Sequence, residues 1–559
     1  MVNTRIGPIA ALGIALLVGA ATAACGSDGN DSKSSDDKAA PPAAWASFGH
    51  DDANTRAAAD EHEVGPDNVA KLAPAWQLTG VKGVTGTPIV DDGVVYVGDW
   101  TGHVRALDAA TGEQRWDHDL DSYYVGGSVA LDDDHVFVGQ FDGHIVALDR
   151  ATGEQAWDAG LDDNPSAAVF GSPIVADGLV LAGIASGQEV IPGSELSVRG
   201  KVVAVDAKTG KVRWTYLTAA EGEDDLPGIT VWSSPTVDLD NGLVFVPTGN
   251  SYGPRPSKHG DALIALDLKT GKQRWVTQFT AGDTWTIDHM DQPDADVSTP
   301  PNLFEVGDTP AVGAGDKTGK YQALDRKTGK VLWTAKLSEG GLQGGVMASA
   351  AVADDTIYVA GNNNGGDADL IALDQQTGEE RWRTKVGFFM AGPVSWANGV
   401  VYLAHDGGKI AGYNAKTGKL LWEHKVAAKA AGGVAIVDGT VYAGYGWWLL
   451  SSGDDPQGGM IAFRLGGKAA PVGGGGDGDE GASGKEIYSQ RCANCHGEDG
   501  QGASGPSMEG VADRLTRDEH IEIVTDGRNG KMPAWGDNLT KEEIEAVVDY
   551  ERDVLSSGD

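Results

Sequence analysis

Two cysteines and a histidine lie within five consecutive residues near the end of the chain, Cys492-Ala493-Asn494-Cys495-His496. This C-x-x-C-H spacing is the attachment pattern of a c-type haem: Cys492 and Cys495 form thioethers to the porphyrin, and His496 ligates the iron. A haem of this kind carries one electron at a time. The motif therefore predicts electron transfer, and the long region before it is where an electron source is expected.

A methionine is expected as the second axial ligand of this iron. Met532 lies in Lys531-Met532-Pro533-Ala534-Trp535, and a Met before Pro on a loop is similar to the class I cytochrome c pattern, in which Met/His ligation raises the haem potential. Met508 is the alternative ligand. The capping-box pattern Thr540-Lys541-Glu542-Glu543 and the similar start at Thr516 before Asp518 and Glu519 predict helices, and so a small all-α cytochrome c domain over residues 483–559.

Charge and length limit the classes of function. The 559 residues exceed one ordinary core, so at least two domains are expected. Asp and Glu number 81 against 43 Lys and Arg, for a formal net charge of -38. A chain this acidic offers little to neutralise phosphates, which excludes nucleic acid as a partner.

The N-terminus has the pattern of a bacterial export signal. Arg5 supplies a positive charge, Ile9 to Val18 is a short apolar run, and small residues lead into Cys25. We expect a lipoprotein signal peptide at residues 1–24, a lipid on Cys25, and a flexible tether at 25–44 that holds the protein on the extracytoplasmic side of a membrane. Simple secretion is the alternative. The chain has three cysteines, so lipid and haem leave none for a disulfide.

A repeat occupies most of the chain between tether and haem. Each copy reads apolar-x-Ala-Leu-Asp-x-x-Thr-Gly-x-x-x-Trp with small variations, which predicts a strand, a tight turn and a second strand. The copies are Val104–Trp116, Ile145–Trp157, Val202–Trp214, Leu263–Trp275, Tyr321–Trp333, Leu370–Trp382 and Ile410–Trp422. Units of four short strands are propeller blades.

An eighth blade is expected to close the ring with strands from both ends of the repeat region. Trp76 lacks its own preceding copy, and the strand Met460–Phe463 lacks a Trp partner. Pairing the two leaves no open sheet edge. The predicted fold is thus an all-β eight-bladed propeller at residues 45–465, a Gly-rich linker at 466–482, and the cytochrome c domain. A β-sandwich array is the alternative for the repeats.

Three segments in the longest repeat units resemble the pyrroloquinoline quinone (PQQ) alcohol dehydrogenase superfamily, and most closely its polyvinyl-alcohol dehydrogenase-like branch. They are Gly193-Ser194-Glu195-Leu196-Ser197-Val198-Arg199-Gly200; Trp232-Ser233-Ser234-Pro235-Thr236 with Pro247-Thr248-Gly249-Asn250; and Asp316-Lys317-Thr318-Gly319. The resemblance implies a propeller that binds PQQ. A C-terminal cytochrome resembles the quinohaemoprotein arrangement.

The resemblance also implies roles for individual residues. Glu195 and Asn250 would ligate a cation, calcium or a lanthanide, with Glu189 as a nearby alternative to Glu195. Trp232 would stack on the quinone, and Lys317 would contact its oxygens. These residue types suit the task, since hard cations take carboxylate and amide oxygens and a planar cofactor needs a flat aromatic floor.

One position departs from the family pattern. The family places its catalytic Asp directly after a Trp, whereas Trp285 is followed here by Thr286. Asp288 is the carboxylate two positions further on, and we expect it to act as base or as a metal ligand; Asp283 is the other nearby carboxylate. The vicinal disulfide of the better-known branches is also absent, because no cysteine remains for it.

Together these features predict a lipid-anchored quinohaemoprotein. PQQ and a cation in the propeller would oxidise a small or polymeric alcohol, and electrons would pass to haem c and then to an external acceptor such as a cytochrome or an oxidase. One alternative is a cofactor-free propeller used as a binding scaffold, with an electron-transfer cytochrome attached. Another is an oxidoreductase that uses the same site on a substrate other than an alcohol.

Overall fold

The structure is a computed structural model, and it describes residues 44–559 apart from 122–123, 224, 292–293, 342–343, 365, 447–457, 470–483, 498, 503–504, 529–531, 533, 537–538, 540 and 558–559. The expected signal peptide, Cys25, nearly all of the tether and most of the linker lie outside the described residues. None of the described helices is long and apolar enough to cross a membrane.

The described residues between Ala57 and Leu465 form eight sheets, which are the blades of a propeller. Two strands precede the first blade, β1 (Ala57–Ala58) and β2 (Leu72–Val81), with a 3-10 turn at Val69–Lys71 between them. The strands of the first four blades follow in chain order: β3 (Ile89–Asp91), β4 (Val94–Gly98), β5 (His103–Asp108), β6 (Gln114–Asp119), β7 (Ala130–Leu131), β8 (His135–Gly139), β9 (His144–Asp149), β10 (Gln155–Gly160), β11 (Ile174–Ala176), β12 (Leu179–Ile184), β13 (Lys201–Asp206), β14 (Val212–Leu217), β15 (Thr236–Asp238), β16 (Leu243–Pro247), β17 (Ala262–Asp267) and β18 (Gln273–Gln278).

The last four blades continue the same meander. Their strands are β19 (Asn302–Val306), β20 (Thr309–Gly315), β21 (Lys320–Asp325), β22 (Val331–Lys336), β23 (Ala351–Ala353), β24 (Thr356–Asn363), β25 (Asp367–Asp374), β26 (Glu380–Lys385), β27 (Ser395–Ala397), β28 (Val400–His405), β29 (Lys409–Asn414), β30 (Leu420–Lys425), β31 (Val434–Val437), β32 (Thr440–Tyr445) and β33 (Gly458–Leu465). The predicted eight-bladed propeller is confirmed.

Closure of the ring follows the sequence expectation. β2 pairs antiparallel with β33, with Trp76 opposite Ala462, and so supplies the outer strand of the eighth blade. An addition that the repeats did not predict is β1, which pairs in parallel with β27 and makes the seventh blade five-stranded. Both ends of the repeat region are therefore tied into late blades, which leaves the ring without an open seam.

The repeat phrase explains how neighbouring blades hold together. In the first copy, Asp108 Oδ1 accepts hydrogen bonds from the backbone of Ala110 and Thr111, which closes the turn. Gly112 then adopts φ 76°, and a Cβ there would lie 2.5 Å from the Trp76 ring. Trp76 Nε1 in turn donates to Ala109 O at 3.0 Å. The glycine thus makes room for a tryptophan of the preceding blade, whose indole is anchored on the turn.

The same contact recurs around the ring. Each repeat tryptophan donates its indole N–H to a backbone carbonyl of the next blade; the pairs after Trp76 are Trp116–Arg150, Trp157–Ala207, Trp214–Leu268, Trp275–Arg326, Trp333–Gln375, Trp382–Ala415 and Trp422–Leu72. The regular Trp spacing in the sequence is therefore the spacing of contacts between blades.

The C-terminal region is helical. Its elements are α1 (Gly484–Ile487), a π-helical turn at Tyr488–Cys492, α2 (Ala493–His496), α3 (Val511–Arg514), α4 (Arg517–Asp526), α5 (Lys541–Asp553) and a 3-10 turn at Leu555–Ser557. Thr516 and Glu519 form a reciprocal capping box at the start of α4. The buried side chains of Tyr488, Val524, Val547 and Val548 belong to one apolar core, as the small all-α domain was expected to have.

Candidate functional site

The candidate site lies in loops from blades 3, 4 and 5 on one face of the propeller. Because successive strands of a blade are antiparallel, the second-to-third-strand loops and the loops leading to the next blade emerge together on that face. Asn250 and Lys317 lie in loops of the first kind, after β16 and β20, and Trp232 lies in the loop from β14 to β15. Residues that are far apart in the chain are thereby brought to one place.

The ammonium group of Lys317 is the centre of this site. Lys317 Nζ lies 2.8 Å and 3.0 Å from the two carboxylate oxygens of Asp294 and 2.8 Å from Asp296 Oδ2. It also lies 5.5 Å from the centre of the Trp232 ring, over its face. The side chains of all three charged residues are nearly buried, so the contacts are made largely out of water.

Asp296 connects the residues that the sequence singled out. Its Oδ2 accepts from Trp232 Nε1 at 3.2 Å, and its Oδ1 accepts from the backbone N–H of Asn250 at 2.9 Å. Asn250 Nδ2 donates to the carbonyl oxygen of Trp285 at 2.8 Å, which turns the amide toward the same loop. The structure thus brings Trp232, Asn250 and Lys317 together, as the sequence predicted, but around a carboxylate that the sequence analysis did not name.

Sequence reasoning missed both Asp294 and Asp296. The family pattern predicts a carboxylate directly after Trp285. Asp294 and Asp296 lie about ten positions later, in the same connection between β18 and β19. The available signal was the Asp-x-Asp spacing: residues two apart in extended backbone point to the same side. Both side chains indeed reach Lys317.

Further carboxyl groups surround this centre. Burial, reinforced by the charge of Asp296, raises the pKa of Glu189 to about 8, and Tyr252 hydrogen-bonds to its carboxyl group. Burial also raises the pKa of Asp294 to about 7, with Lys317 opposing the shift. Asp283 follows the same pattern, and burial raises its pKa to about 6. These carboxyl groups are therefore partly protonated near neutral pH.

Lys317 responds to its neighbours in the opposite sense. Burial alone would lower its pKa, but the charges of Asp296, Asp294 and Glu189 outweigh burial and hold the pKa above its ordinary value. The lysine therefore stays charged. When these carboxyl groups are ionised, one ammonium group does not balance them, so their ionised form favours a further positive charge.

Asp261 adds direct support for a cation at this site. Its side chain is buried and its Oδ1 has no hydrogen-bond partner among the described residues. Burial and the charges of Asp296, Asp283 and Asp294 raise the pKa of Asp261 well above its ordinary value. No three His, Cys, Asp or Glu side chains of the described residues converge with metal-site geometry, so protein ligation of a cation here would need the amide oxygen of Asn250 as well.

Two predicted residues, Glu195 and Asp288, are exposed, unlike the buried groups of this centre. Asp288 Oδ2 accepts from the backbone N–H of Gly193 at 2.9 Å, which ties its loop to the Glu195 loop. The 3-10 turn Gln188–Val190 brings Glu189, the alternative to Glu195, to the Lys317 centre. The predicted roles of Glu195 and Asp288 stay predictions.

A cavity of about 170 Å³ lies beside the site, on the propeller axis. Its lining includes Trp232, Ser233, Ser172, Ser298, Phe170 and Pro393, contributed by loops from several blades. Phe170 continues into an aromatic cluster, since its ring lies 4.6 Å from that of Phe141, which lies 5.2 Å from that of Trp100. The flat Trp232 ring and the Lys317 ammonium group fit a planar cofactor that carries carboxylates.

The haem-attachment segment has the arrangement that an axial histidine requires. His496 is buried at the end of α2, and its Nδ1 lies 2.7 Å from the carbonyl oxygen of Pro506. A hydrogen bond at Nδ1 leaves Nε2 as the nitrogen for iron. Cys492 is buried in the same core. The side chain of Cys495 lies outside the described residues.

Both candidate methionines reach this core. Met508 is buried in it, and Met532 is half-buried and packs against it. The backbones of Met532 and Arg528 exchange two hydrogen bonds of 3.1 Å, which form an isolated antiparallel bridge. The choice between the two ligands stays a prediction.

Comparison with known proteins connects the two sites. The family profile of the PQQ type described as the glucose/ethanol/alcohol dehydrogenase β-propeller domain matches residues 45–339, more than half of the chain. The chain belongs to this family. A profile of the outer membrane protein assembly factor BamB matches residues 317–469, and one of the cbb3-type cytochrome c oxidase subunit III matches residues 479–550. The expected membership of a PQQ propeller family with a C-terminal cytochrome c domain is confirmed.

Individual relatives agree with this assignment. A polyvinylalcohol dehydrogenase of Pseudomonas sp. is 28% identical over 319 residues, which are 52% of this chain and 43% of that protein. The chain thus spans less than half the length of this curated relative. The solved quinohemoprotein alcohol dehydrogenase of Comamonas testosteroni has a TM-score of 0.70 at 22% identity and covers 93% of this chain and 97% of its own.

A third similar structure is a europium-containing methanol dehydrogenase, with a TM-score of 0.63 at 20% identity, covering 76% of this chain and 98% of its own. At these identities the two solved structures show the fold alone. In this PQQ-family chain, the Lys317 centre and the His496 segment are therefore the two places where the chemistry has to be argued from the residues themselves.

Proposed function

We propose that this PQQ-family chain is a quinohaemoprotein oxidoreductase that oxidises an alcohol and passes the electrons through haem c to an external acceptor. The observation that carries the proposal is the contact of Lys317 with Asp294 and Asp296 beside the Trp232 ring. It brings a cation and two carboxylates to a flat aromatic ring, and that Trp232 ring also lines the axial cavity. Those are the groups that a planar, acidic redox cofactor and a hydroxyl substrate need.

The fit to PQQ rests on three residues. The Trp232 ring offers the floor for a planar cofactor, and Lys317 offers the cation for its oxygens. Asn250 Nδ2 donates a hydrogen bond to the Trp285 carbonyl. Oδ1 of the same amide takes no part in that bond and offers a neutral oxygen ligand to calcium or a lanthanide. When bound, PQQ supplies the two-electron acceptor that the polypeptide itself lacks.

We propose Asp294 as the base for the substrate hydroxyl. A base works best with a pKa near the operating pH, and burial raises the pKa of Asp294 to about 7. Asp296 is the less suited carboxylate, because its oxygens already accept from Trp232 and Asn250. Lys317 orients the Asp294 carboxylate through two contacts of 2.8 Å and 3.0 Å. Asp288, the base expected from the sequence, is exposed and engaged with Gly193.

Haem c can accept only one electron at a time. Oxidation of an alcohol to a carbonyl compound removes two electrons and two protons, whereas haem c accepts one electron. The haem must therefore pass its electron to the external acceptor twice per substrate. His496, held by the Pro506 carbonyl, and a methionine ligand would keep the iron six-coordinate and suited to electron transfer.

Reconstitution tests the proposal. Purified haem-loaded protein is titrated with PQQ and either calcium or a lanthanide, quenching of the total tryptophan fluorescence reports binding, and haem absorbance is followed across small and polymeric alcohols. We expect metal-dependent quenching and alcohol-dependent haem reduction, both lost in Lys317→Met. Absence of PQQ binding with every metal would reject the proposal and favour a binding scaffold. Binding without reduction by any alcohol would point to another substrate class.

We also propose that the protein is exported and anchored to a membrane by lipid on Cys25. The signal-like residues 1–24 and the polar tether support this, as does haem attachment, which takes place outside the cytoplasm. Radiolabelled palmitate fed to expressing bacteria should label the wild type and not Cys25→Ala, and the variant should leave the membrane fraction. Equal membrane association of the unlabelled variant would contradict the proposal.

A further inference from the structure

Arg491 lies at a contact between the propeller and the cytochrome domain. Arg491, the residue immediately before Cys492, lies with its guanidinium carbon 3.6 Å from the centre of the Phe388 ring of the propeller. The same carbon lies 5.1 Å from the centre of the Trp535 ring of the cytochrome domain. Its Nη1 donates to the backbone carbonyl of Gly387 at 2.9 Å. A single side chain thus contacts aromatic rings of both domains.

The propeller side of this contact is built to hold a cation. Phe388 stacks on His405, with ring centres 4.9 Å apart and planes 20° apart. His405 is buried, and its Nδ1 accepts a hydrogen bond from the backbone N–H of Gly407. Burial, together with the charges of Lys409 and Arg491, lowers the pKa of His405 to about 3. The imidazole therefore stays neutral and supports the Phe388 ring without repelling Arg491.

Charge complementarity acts in the same direction. Burial lowers the pKa of Arg491, and the carboxylates of Asp406 and Asp367 on the propeller are the largest of the opposing influences. Both lie beside the Phe388 loop, at the end of β28 and the start of β25. A cation that loses water on docking is stabilised there by a ring face and by two negative charges.

This contact lies on the face of the propeller that carries the Lys317 centre. Phe388 belongs to the connection from β26 to β27, which is equivalent to the connection that holds Trp232. Two residues of the Phe388 connection, Ala391 and Pro393, line the axial cavity together with Trp232. The cytochrome domain is therefore held next to the mouth of the candidate site.

We propose that Arg491 is a positioning residue that clamps the cytochrome domain onto the site face of the propeller. Because Cys492 follows Arg491 directly, the contact of Arg491 would limit how far a haem bonded to Cys492 could move from the propeller. Electron transfer slows steeply with distance, so loss of the clamp would slow the reduction of the haem. The clamp itself rests only on the geometry; its consequence for electron transfer rests on the proposed function.

Four variants of the full-length, haem-loaded protein test the clamp. Arg491→Ala removes the contact and Arg491→Lys keeps the charge but loses the planar group that stacks on Phe388. Phe388→Ala removes the propeller side and leaves the sequence of the haem motif unchanged, so it decides the test if Arg491→Ala fails to incorporate haem. Arg517→Ala is the matched control, a partly exposed cytochrome arginine paired with Asp549 inside its own domain.

The first measurement is independent of PQQ. Small-angle X-ray scattering is measured on the full-length protein that carries haem but no PQQ. The radius of gyration should be larger for Arg491→Ala and Phe388→Ala than for wild type and Arg517→Ala. In these two variants the ratio of molecules with a docked cytochrome domain to molecules with an undocked one should fall by about tenfold or more. This is the effect expected from losing a cation–π contact that is shielded from water. Arg491→Lys should fall in between. Unchanged scattering in both Arg491→Ala and Phe388→Ala would overturn the clamp, and wild-type behaviour of Arg491→Lys would overturn the stacking contact as its cause.

The second measurement concerns electron transfer. After mixing with reduced PQQ, haem reduction should be about tenfold slower in the two clamp variants than in the control. An expanded shape with unchanged haem reduction would overturn the positioning role. If PQQ does not bind at all, the proposed function fails while the scattering result still decides the clamp, so the two failures are distinguishable.

Discussion

The Lys317 centre and the haem segment differ in how the chain encodes them. The haem segment lies within five consecutive residues, Cys492 to His496, and its buried histidine is held by a carbonyl ten residues later. The Lys317 centre takes side chains from loops of three blades, from Glu189 to Lys317. A site of the first kind is legible in the sequence. A site of the second kind is complete only after the propeller has closed.

This difference explains which predictions succeeded. Eight blades, their closure by Trp76 and Met460–Phe463, and the helical C-terminal domain followed from repeats whose residues act locally: Asp108 closes a turn and Gly112 admits a ring. Local rules repeated many times leave a clear signal. β1 had no such signal, because its two alanines pair with a strand more than three hundred residues later.

For the same reason, only part of the Lys317 centre could be predicted from the sequence. Trp232, Asn250 and Lys317 lie in recognisable segments, and the structure brings them together. Asp294 and Asp296 lie in an irregular loop, where no periodicity relates them to Lys317, and only the folded loop shows the contact. Asp288 and Glu195 were predicted from their sequence neighbours, and both are exposed. Their roles stay predictions.

The largest expected effect comes from removing the positive charge of Lys317, which balances the carboxylates of the Lys317 centre. Lys317→Met should lower the free energy of unfolding of the propeller by about 3–5 kcal/mol, because Asp294 and Asp296 would be left buried without their partner. Urea titration monitored by far-ultraviolet circular dichroism measures it. Lys327→Met, at an exposed lysine of the same blade, is the control and should change little. Equal stability of the two variants would mean that the site is not held by charge balance.

The methionine ligand of the haem segment can be tested by substitution. Met532→Ala should lose the low-spin Met/His haem spectrum and lower the reduction potential, whereas Met508→Ala should keep the spectrum and weaken only the core packing. Absorbance and redox titration of both haem-loaded variants measure this. The reverse result would assign the iron to Met508, the more buried of the two.

The pH dependence of stability separates the two regions further. The pKa of Asp294 is raised from its ordinary 3.8 to about 7, so the folded protein binds more protons than the unfolded chain between these values. Propeller stability should therefore fall as pH rises from about 4 to about 7, by at most about 1.4 kcal/mol per pH unit for this group. Asp294→Asn should flatten the slope, and so should bound calcium or lanthanide. A slope that neither change alters would assign it to other groups.

The smallest expected effect decides between two neighbouring glutamates. Glu195 is exposed, so Glu195→Gln should change the affinity for calcium or a lanthanide by no more than a factor of about two. Glu189 lies within the charge field of Asp296 and Lys317, and Glu189→Gln should weaken the affinity by about tenfold to a hundredfold. Isothermal titration with PQQ present measures both. A strong loss in Glu195→Gln alone would return the ligand role to the residue that the family resemblance implied. It would also indicate that the exposed Glu195 loop moves toward the cation on binding.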